Sequence, residues 1–160
     1  MSLFPFIVDV QEPWSNGKRV TIIMSFYQLR RTQQVNVSRD RLWDFIASPR
    51  NLKEITPDYM GFDITSHDLP ETMYAGLIIA YKVSPLWQIP INWMTEITHV
   101  AAPEYFVDEQ RVGPYKMWHH QHFLKESEAG CLMEDIVTYQ PPFGWLGGLA
   151  NRWLIKPRLQ

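Results

Sequence analysis

The chain has 160 residues, of which 46% are hydrophobic, 14% aromatic and 20% charged. This composition is typical of one globular domain and excludes an intrinsically disordered chain. The net charge is −2, and neither half carries an excess of basic residues, so we expect no nucleic-acid partner.

Cysteine content and the N-terminal residues bear on the cellular compartment. A single cysteine, Cys131, excludes an intramolecular disulfide. The N-terminus lacks a basic segment before its apolar residues, as a signal peptide would have. No apolar run approaches the roughly 20 residues of a membrane-spanning helix. We therefore expect a cytoplasmic protein with no transmembrane segment.

The first 23 residues pattern poorly, because Pro5, Pro13 and Gly17 interrupt every long apolar run. We predict that residues 1–23 are an N-terminal appendage of uncertain structure and that 24–160 form a single domain. Residues 22–37 alternate and are rich in β-forming side chains, which predicts the first strand.

Two short helices are predicted after this strand. Ser38 can cap the first, with Asp40 in its first turn, where a helix favours negative charge. Ser48 can cap the second, in which Leu52 and Ile55 are expected to face inward. The apolar side of the first helix is expected to hold Leu42, Trp43, Phe45 and Ile46.

Alternation and turn residues predict further strands over 61–65, 77–83, 91–100, 105–111, 116–124 and 132–139. Gly113 and Pro114 mark a turn between two of them. The short connections favour an antiparallel meander. Trp145, Leu149 and Trp153 recur at helical spacing, which predicts a C-terminal helix from about residue 146.

Strand alternation assigns one set of side chains to the inner face of this sheet. The set is rich in aromatic residues with a few polar groups, as in ligand pockets, although a solidly packed core is the alternative. The predicted lining residues are Ile79, Tyr81, Trp93, Thr95, Ile97, Phe106, Asp108, Gln110, Trp118, His120, His122, Asp135, Val137 and Tyr139, with Leu149 and Trp153 from the helix.

His120 and His122 share the inner face, whereas His119 is expected to point outward. Asp135 or Asp108 on neighbouring strands could accept a proton from an imidazole, which makes His120, His122 and Asp135 candidates for acid–base catalysis. The alternatives are a buried hydrogen-bond network and an anchor for the polar end of a ligand.

The His-x-His spacing also raises the question of a metal, because it directs two imidazoles to one side of a strand. No histidine follows His122, so a second metal-binding motif is missing. We expect neither a metal nor a cofactor.

Residues 85–90 form an apolar hairpin tip centred on Leu86 and Trp87. An exposed tip of this kind can contact a partner or a membrane surface, or it can fold back over the end of the sheet. The sequence leaves both possibilities open.

The order of these elements is accompanied by short motifs along residues 24–160. Together they resemble the START/birch-pollen-allergen-like (SRPBCC) superfamily, and within it the polyketide cyclase/dehydrase-like bacterial branch. The motifs are residues 42–45, 51–52 with 55–57, 76–81, 93–97, 106–110 and 113–120, and Asp135 with Tyr139 and Pro141.

The resemblance implies an α+β helix-grip fold, in which a curved antiparallel sheet wraps around the C-terminal helix. It also implies binding or carriage of a small hydrophobic molecule, lipid or polyketide-like, in a cavity between sheet and helix. A cyclase/dehydrase-type enzyme using a His–Asp pair and an interaction module with a filled core are the alternatives; we expect binding rather than catalysis. The last helix looks shorter than is usual in such proteins.

Overall fold

The structure is a computed structural model that describes residues 2–11, 19–56, 61–84 and 89–142, with side chains from residue 26 onward. The described elements follow one another in the order β1 (Ser2–Gln11), β2 (Arg19–Val35), α1 (Arg39–Ile46), a 3₁₀ turn (Pro49–Asn51), α2 (Leu52–Ile55), β3 (Asp63–Ile64), β4 (Ile78–Val83), β5 (Ile91–Ala101), β6 (Tyr105–Val112), β7 (Met117–Ser127) and β8 (Gly130–Gln140).

All eight strands belong to one antiparallel sheet, in the order β1-β2-β8-β7-β6-β5-β4-β3. Strands β3 to β8 follow one another as a meander, which confirms the predicted connectivity. The first strand of the domain then pairs with the last, with Arg31 opposite Asp135 and Tyr27 opposite Tyr139.

Strand β1 lies in the N-terminal segment, where residue types show no clear pattern. It pairs with β2 along its whole length, and Pro5 falls inside it, opposite Ser25. Proline is tolerated in an edge strand because the strand has a free side where no N–H is needed. The separation into an appendage (1–23) and a domain (24–160) stays a prediction.

Helix α1 begins where the sequence predicts. The hydroxyl of Ser38 accepts a hydrogen bond from the backbone N–H of Arg41, at 3.3 Å, and Leu42, Trp43 and Ile46 are buried. Phe45 is exposed, so the predicted apolar side is too wide by one residue.

The inward orientation predicted for Ile55 is wrong, because 48% of this residue is exposed. Helix α2 has four residues, about one turn, so only one side of it can face the protein. The half-buried Leu52 occupies that side and packs against the core.

Helix α1 packs across β7 and β8 and closes one end of the sheet. The buried cluster beneath it consists of Leu42, Trp43, Ile46, Ala47, Met73, Leu77, Ile79, Ile97, Phe106, Leu124 and Cys131. This part of the apolar core therefore lies beneath α1.

Two sets of predicted residues lie outside the described part of the chain: the C-terminal helix from residue 146 with Leu149 and Trp153, and the tip residues Leu86 and Trp87. Among the helices that the structure describes, none is long and apolar enough to cross a membrane.

Candidate ligand-binding site

The inner face of the sheet is divided into three zones, of which the first is the core under α1. Ile79, Ile97 and Phe106, which the sequence assigns to a pocket wall, are buried here. The ring of Trp43 on α1 meets Phe106 edge-on at 6.2 Å between centroids. These three residues are thus buried, and their role as lining residues stays a prediction.

The second zone is a group of four ionisable residues, Asp108, His120, His122 and Asp135, called here the His–Asp cluster. Strand register brings it together: Asp108 lies opposite His120 across β6 and β7, and His122 lies opposite Asp135 across β7 and β8. Because β7 is the middle strand of the three, each of its imidazoles has a carboxylate on both sides.

The contacts in this cluster form a closed ring of four residues. Nε2 of His122 is hydrogen bonded to Oδ2 of Asp108 at 2.8 Å, and its Nδ1 lies 2.7 Å from Oδ1 of Asp135. Nδ1 of His120 is 3.4 Å from Oδ2 of Asp108, and its Nε2 is 3.3 Å from Oδ1 of Asp135. The two imidazole rings lie 3.7 Å apart.

Hydrogen bonding is incomplete on the Asp135 side of the cluster. Nε2 of His120, Nδ1 of His122 and Oδ1 of Asp135 are buried, and none of them has a hydrogen-bond partner of acceptable geometry among the described residues. Nδ1 of His122 and Oδ1 of Asp135 are close enough for a hydrogen bond at 2.7 Å, but the two groups are not aligned for one. Buried polar atoms in proteins normally have partners, so this side of the cluster is suited to a further polar group.

The two imidazoles differ in their affinity for a proton. Burial lowers the pKa of His120, and the neighbouring His122 lowers it further. Burial acts on His122 in the same direction, but the carboxylates of Asp108 and Asp135 outweigh it and raise the pKa of His122 to about 9. Burial would raise the pKa of Asp135, but its contacts with both imidazoles lower it. A cationic and a neutral imidazole therefore lie side by side near pH 7.

The third zone is a group of aromatic side chains, Tyr81, Trp93, Tyr115, Trp118 and Tyr139, called here the aromatic band. Ring centroids are 4.9 Å apart for Tyr115 and Trp118, 5.4 Å for Trp93 and Trp118, and 5.9 Å for Trp118 and Tyr139. Burial raises the pKa of the Tyr81 and Tyr115 phenols. Trp118 meets His120 at 6.3 Å with its ring perpendicular, so the band adjoins the His–Asp cluster.

Tyr115 is a member of the band that sequence analysis missed. It lies in the turn between β6 and β7, where alternation assigns no face. Its position next to Gly113 and Pro114 could have indicated this role. An aromatic side chain in a tight turn can pack against inner-face residues of either strand that the turn connects.

Two of the predicted lining residues use their polar groups within the protein. The Thr95 hydroxyl accepts a hydrogen bond from Nε1 of Trp93 at 3.0 Å and lies 2.9 Å from the Tyr81 hydroxyl. Nε2 of Gln110 donates to the carbonyl of Tyr115 at 2.7 Å, and Oε1 of Gln110 accepts from the N–H of Tyr115 at 3.2 Å. Both residues hold the aromatic band in place.

The remaining predicted residues fall as follows. Val137 is half-buried and lies opposite His120 on β8. His119 has Glu109 as its partner, with Nδ1 2.9 Å from Oε1, and strand alternation places this pair on the face away from the cluster. Leu149 and Trp153 are among the residues that the structure does not describe.

The cluster can act in three chemical ways. It can hold the polar end of a ligand, it can move a proton between imidazole and carboxylate, and it can offer nitrogen and oxygen atoms to a metal ion. One ligand atom from each of Asp108, His120 and His122 lies within 4.8 Å of the others.

No protein-family model matches the sequence, and no curated protein matches it either. Solved structures do. A protein from Arthrobacter aurescens has a TM-score of 0.63 at 15% identity, covering 82% of this chain and 79% of that one. Ginseng major latex-like protein 151 from Panax ginseng has a TM-score of 0.58 at 11% identity, covering 84% and 95%. Ara h 8.0201 has a TM-score of 0.54 at 10% identity, covering 73% and 80%.

Proposed function

We infer that the chain belongs to the START/birch-pollen-allergen-like superfamily, because its α+β helix-grip fold is similar to the structures of Ara h 8.0201 and the ginseng protein. We propose that the protein binds or carries a small hydrophobic molecule, lipid or polyketide-like, in a cavity between the sheet and the predicted C-terminal helix. The observation that carries the proposal is the position of the aromatic band next to buried polar atoms that form no aligned hydrogen bond within the described residues.

The aromatic band supplies the apolar part of such a site. Burial of apolar surface contributes about 25 cal/mol per Å², so a ligand that hides roughly 200 Å² against these rings gains about 5 kcal/mol. Tyrosine and tryptophan also keep polar tips that can be satisfied at the edge of a greasy surface. In this band Tyr81 and Trp93 direct those tips to Thr95, which leaves their ring faces apolar.

The His–Asp cluster supplies orientation. A buried polar atom without a partner costs about 1–3 kcal/mol, so a ligand whose polar end reaches Nε2 of His120 or Oδ1 of Asp135 would recover that energy. About 1.4 kcal/mol corresponds to a tenfold change in affinity. We therefore expect ligands with one polar end to bind roughly 10-fold tighter than wholly apolar molecules of the same size.

Other features of the chain are extensions of this proposal. Assignment to the polyketide cyclase/dehydrase-like bacterial branch, a contact through Leu86 and Trp87, and a cytoplasmic location stay predictions. No observation in the described part of the chain favours the cyclase/dehydrase-type enzyme or the filled interaction module over binding.

The test is ligand capture by the full chain. Extraction of the purified protein followed by mass spectrometry should identify co-purified apolar molecules, and a polarity-sensitive apolar dye should gain fluorescence when it binds. Trp118→Ala should weaken dye binding about 10-fold or more, since a large buried ring contributes well over 1.4 kcal/mol.

Phe123→Leu is the matched control, because Phe123 lies on the same strand as Trp118 but on the opposite face, stacked on Tyr105 at 5.7 Å. It should leave dye affinity unchanged. A wild-type protein that neither retains nor takes up any apolar molecule would contradict the proposal, as would equal losses in the two variants.

A further inference from the structure

We infer that His120, His122 and Asp135 bind a divalent transition-metal ion such as Zn²⁺, with Asp108 as the carboxylate that orients the imidazole of His122. Metal binding does not depend on the proposed hydrophobic ligand; with the ion in place, the polar end of that ligand would meet the ion instead of Nε2 of His120 or Oδ1 of Asp135. The absence of a second histidine motif gave the expectation of no metal, but strand register brings together donors from β7 and β8 and an outer carboxylate from β6.

The first ground is the convergence of unpartnered atoms. Nε2 of His120 and Nδ1 of His122 both approach Oδ1 of Asp135, at 3.3 and 2.7 Å, and all three atoms are buried without a hydrogen-bond partner among the described residues. His122 itself is only 9% exposed. Two imidazole nitrogens and one carboxylate oxygen are the donor types of known zinc and non-haem iron sites.

The second ground is the spacing of those atoms. Zinc bonds to nitrogen and oxygen are about 2.0–2.2 Å long in tetrahedral sites, which places neighbouring ligand atoms roughly 3.3 Å apart. The separation between His120 and Asp135 already has this value. The 2.7 Å contact of His122 would need to lengthen by about half an ångström, which a small side-chain rotation can provide.

The third ground is the second carboxylate. An imidazole that binds a metal through one nitrogen commonly donates its other N–H to a carboxylate, which fixes the ring and its tautomer. His122 has this partner, since its Nε2 is hydrogen bonded to Asp108 at 2.8 Å. The opposite nitrogen, Nδ1, is directed toward Asp135, and the metal ion would bind it with release of the proton of the cationic imidazole to the solvent.

The chemistry of the donors limits the class of ion. Imidazole nitrogens with one carboxylate suit Zn²⁺, Co²⁺, Ni²⁺ or Fe²⁺, whereas Mg²⁺ and Ca²⁺ require mainly oxygen ligands. Arg31 is the register neighbour of Asp135 on β2 and could compete for its carboxylate. Its side chain is exposed, and within the described residues it forms no ion pair with Asp135.

The experiment uses the untagged full chain after treatment with a chelator. Calorimetric titration with ZnCl₂ should show one equivalent bound, ZnCl₂ should raise the melting temperature, and CoCl₂ should produce the visible absorption of a protein-bound ion. His120→Ala and Asp135→Asn should abolish all three signals. Asp108→Asn should retain the absorption but weaken binding about 10–100-fold, as expected of an outer carboxylate.

His119→Ala is the matched control, because it removes a histidine from the same strand but from the opposite face, and it should bind Zn²⁺ like the wild type. Circular dichroism in chelator identifies variants that fail to fold; Asp135→Asn changes the fewest atoms and keeps the test valid if His120→Ala does not fold. The inference is overturned if the wild type binds no stoichiometric metal, or if Asp135→Asn binds as well as His119→Ala.

Discussion

The turn between β6 and β7 offers a sharp test of how the aromatic band is held. Gly113 is not in the left-handed region of backbone space, so its conformation does not require glycine. A β-carbon there would lie 2.5 Å from Cδ and 2.9 Å from Cγ of Gln110. Two non-bonded carbon atoms do not approach each other this closely in proteins, so Gly113→Ala must displace the Gln110 side chain.

The size of the effect follows from what Gln110 does. Its amide makes two hydrogen bonds to the backbone of Tyr115, and each contributes about 0.5–1.5 kcal/mol. We expect Gln110→Ala to lower the free energy of unfolding by about 1–3 kcal/mol. Gly113→Ala loses the same hydrogen bonds. It also makes the unfolded chain less flexible, which offsets roughly 0.4–1 kcal/mol of the resulting loss in the free energy of unfolding.

The double variant separates this explanation from others. Truncation of Gln110 removes the three atoms nearest to the added methyl group, so Gly113→Ala in that background should be neutral or slightly stabilising. Equilibrium urea unfolding of the four proteins, followed by circular dichroism, measures the coupling, which should reach about 1–3 kcal/mol. Additive losses would refute the reasoning, and so would a Gly113→Ala single variant that is clearly more stable than the wild type.

Three further predictions concern stability and reactivity. Gly130→Ala should lower the free energy of unfolding by at least about 2 kcal/mol, because Gly130 has φ +120° and a β-carbon would lie 2.5 Å from the carbonyl oxygen of Val35; an unchanged urea midpoint would contradict this. Trp43→Ala should cost about 3–5 kcal/mol through lost packing on Phe106, whereas Trp43→Phe should lose clearly less in the same assay. Cys131 is fully buried and burial raises the pKa of its thiol, so iodoacetamide should label it in urea but not in buffer, as mass spectrometry can show.

Much of the site could be predicted from alternation alone. Every residue of the His–Asp cluster was assigned to the inner face, and the outward position of His119 was foreseen, because side chains in a strand point alternately to the two faces. Alternation does not give the register between strands. It could not show that each imidazole has a carboxylate on both sides, nor which nitrogen is hydrogen bonded.

The missed features depend on contacts between distant parts of the chain. Phe106 has the alternation of a pocket residue, but α1 lies over it and makes it part of the core. Gln110 has the same alternation, but the turn residue Tyr115 engages its amide. Strand β1 was missed because Pro5 breaks the local pattern, and only its pairing with β2 makes it a strand.

The position of the His–Asp cluster argues that it serves binding more than stability. His122 stacks on Phe106 of the core, with centroids 4.1 Å apart and rings 12° from parallel, and the cluster meets the aromatic band at Trp118. A buried ion-pair group at such a junction could be replaced by packed apolar residues at little or no loss of stability. Two carboxylates and two imidazoles with atoms that lack an aligned hydrogen bond therefore contribute less to stability than packed apolar residues would. A polar group of a ligand or a metal ion bound by these atoms would satisfy them, which is the role that we propose for the cluster.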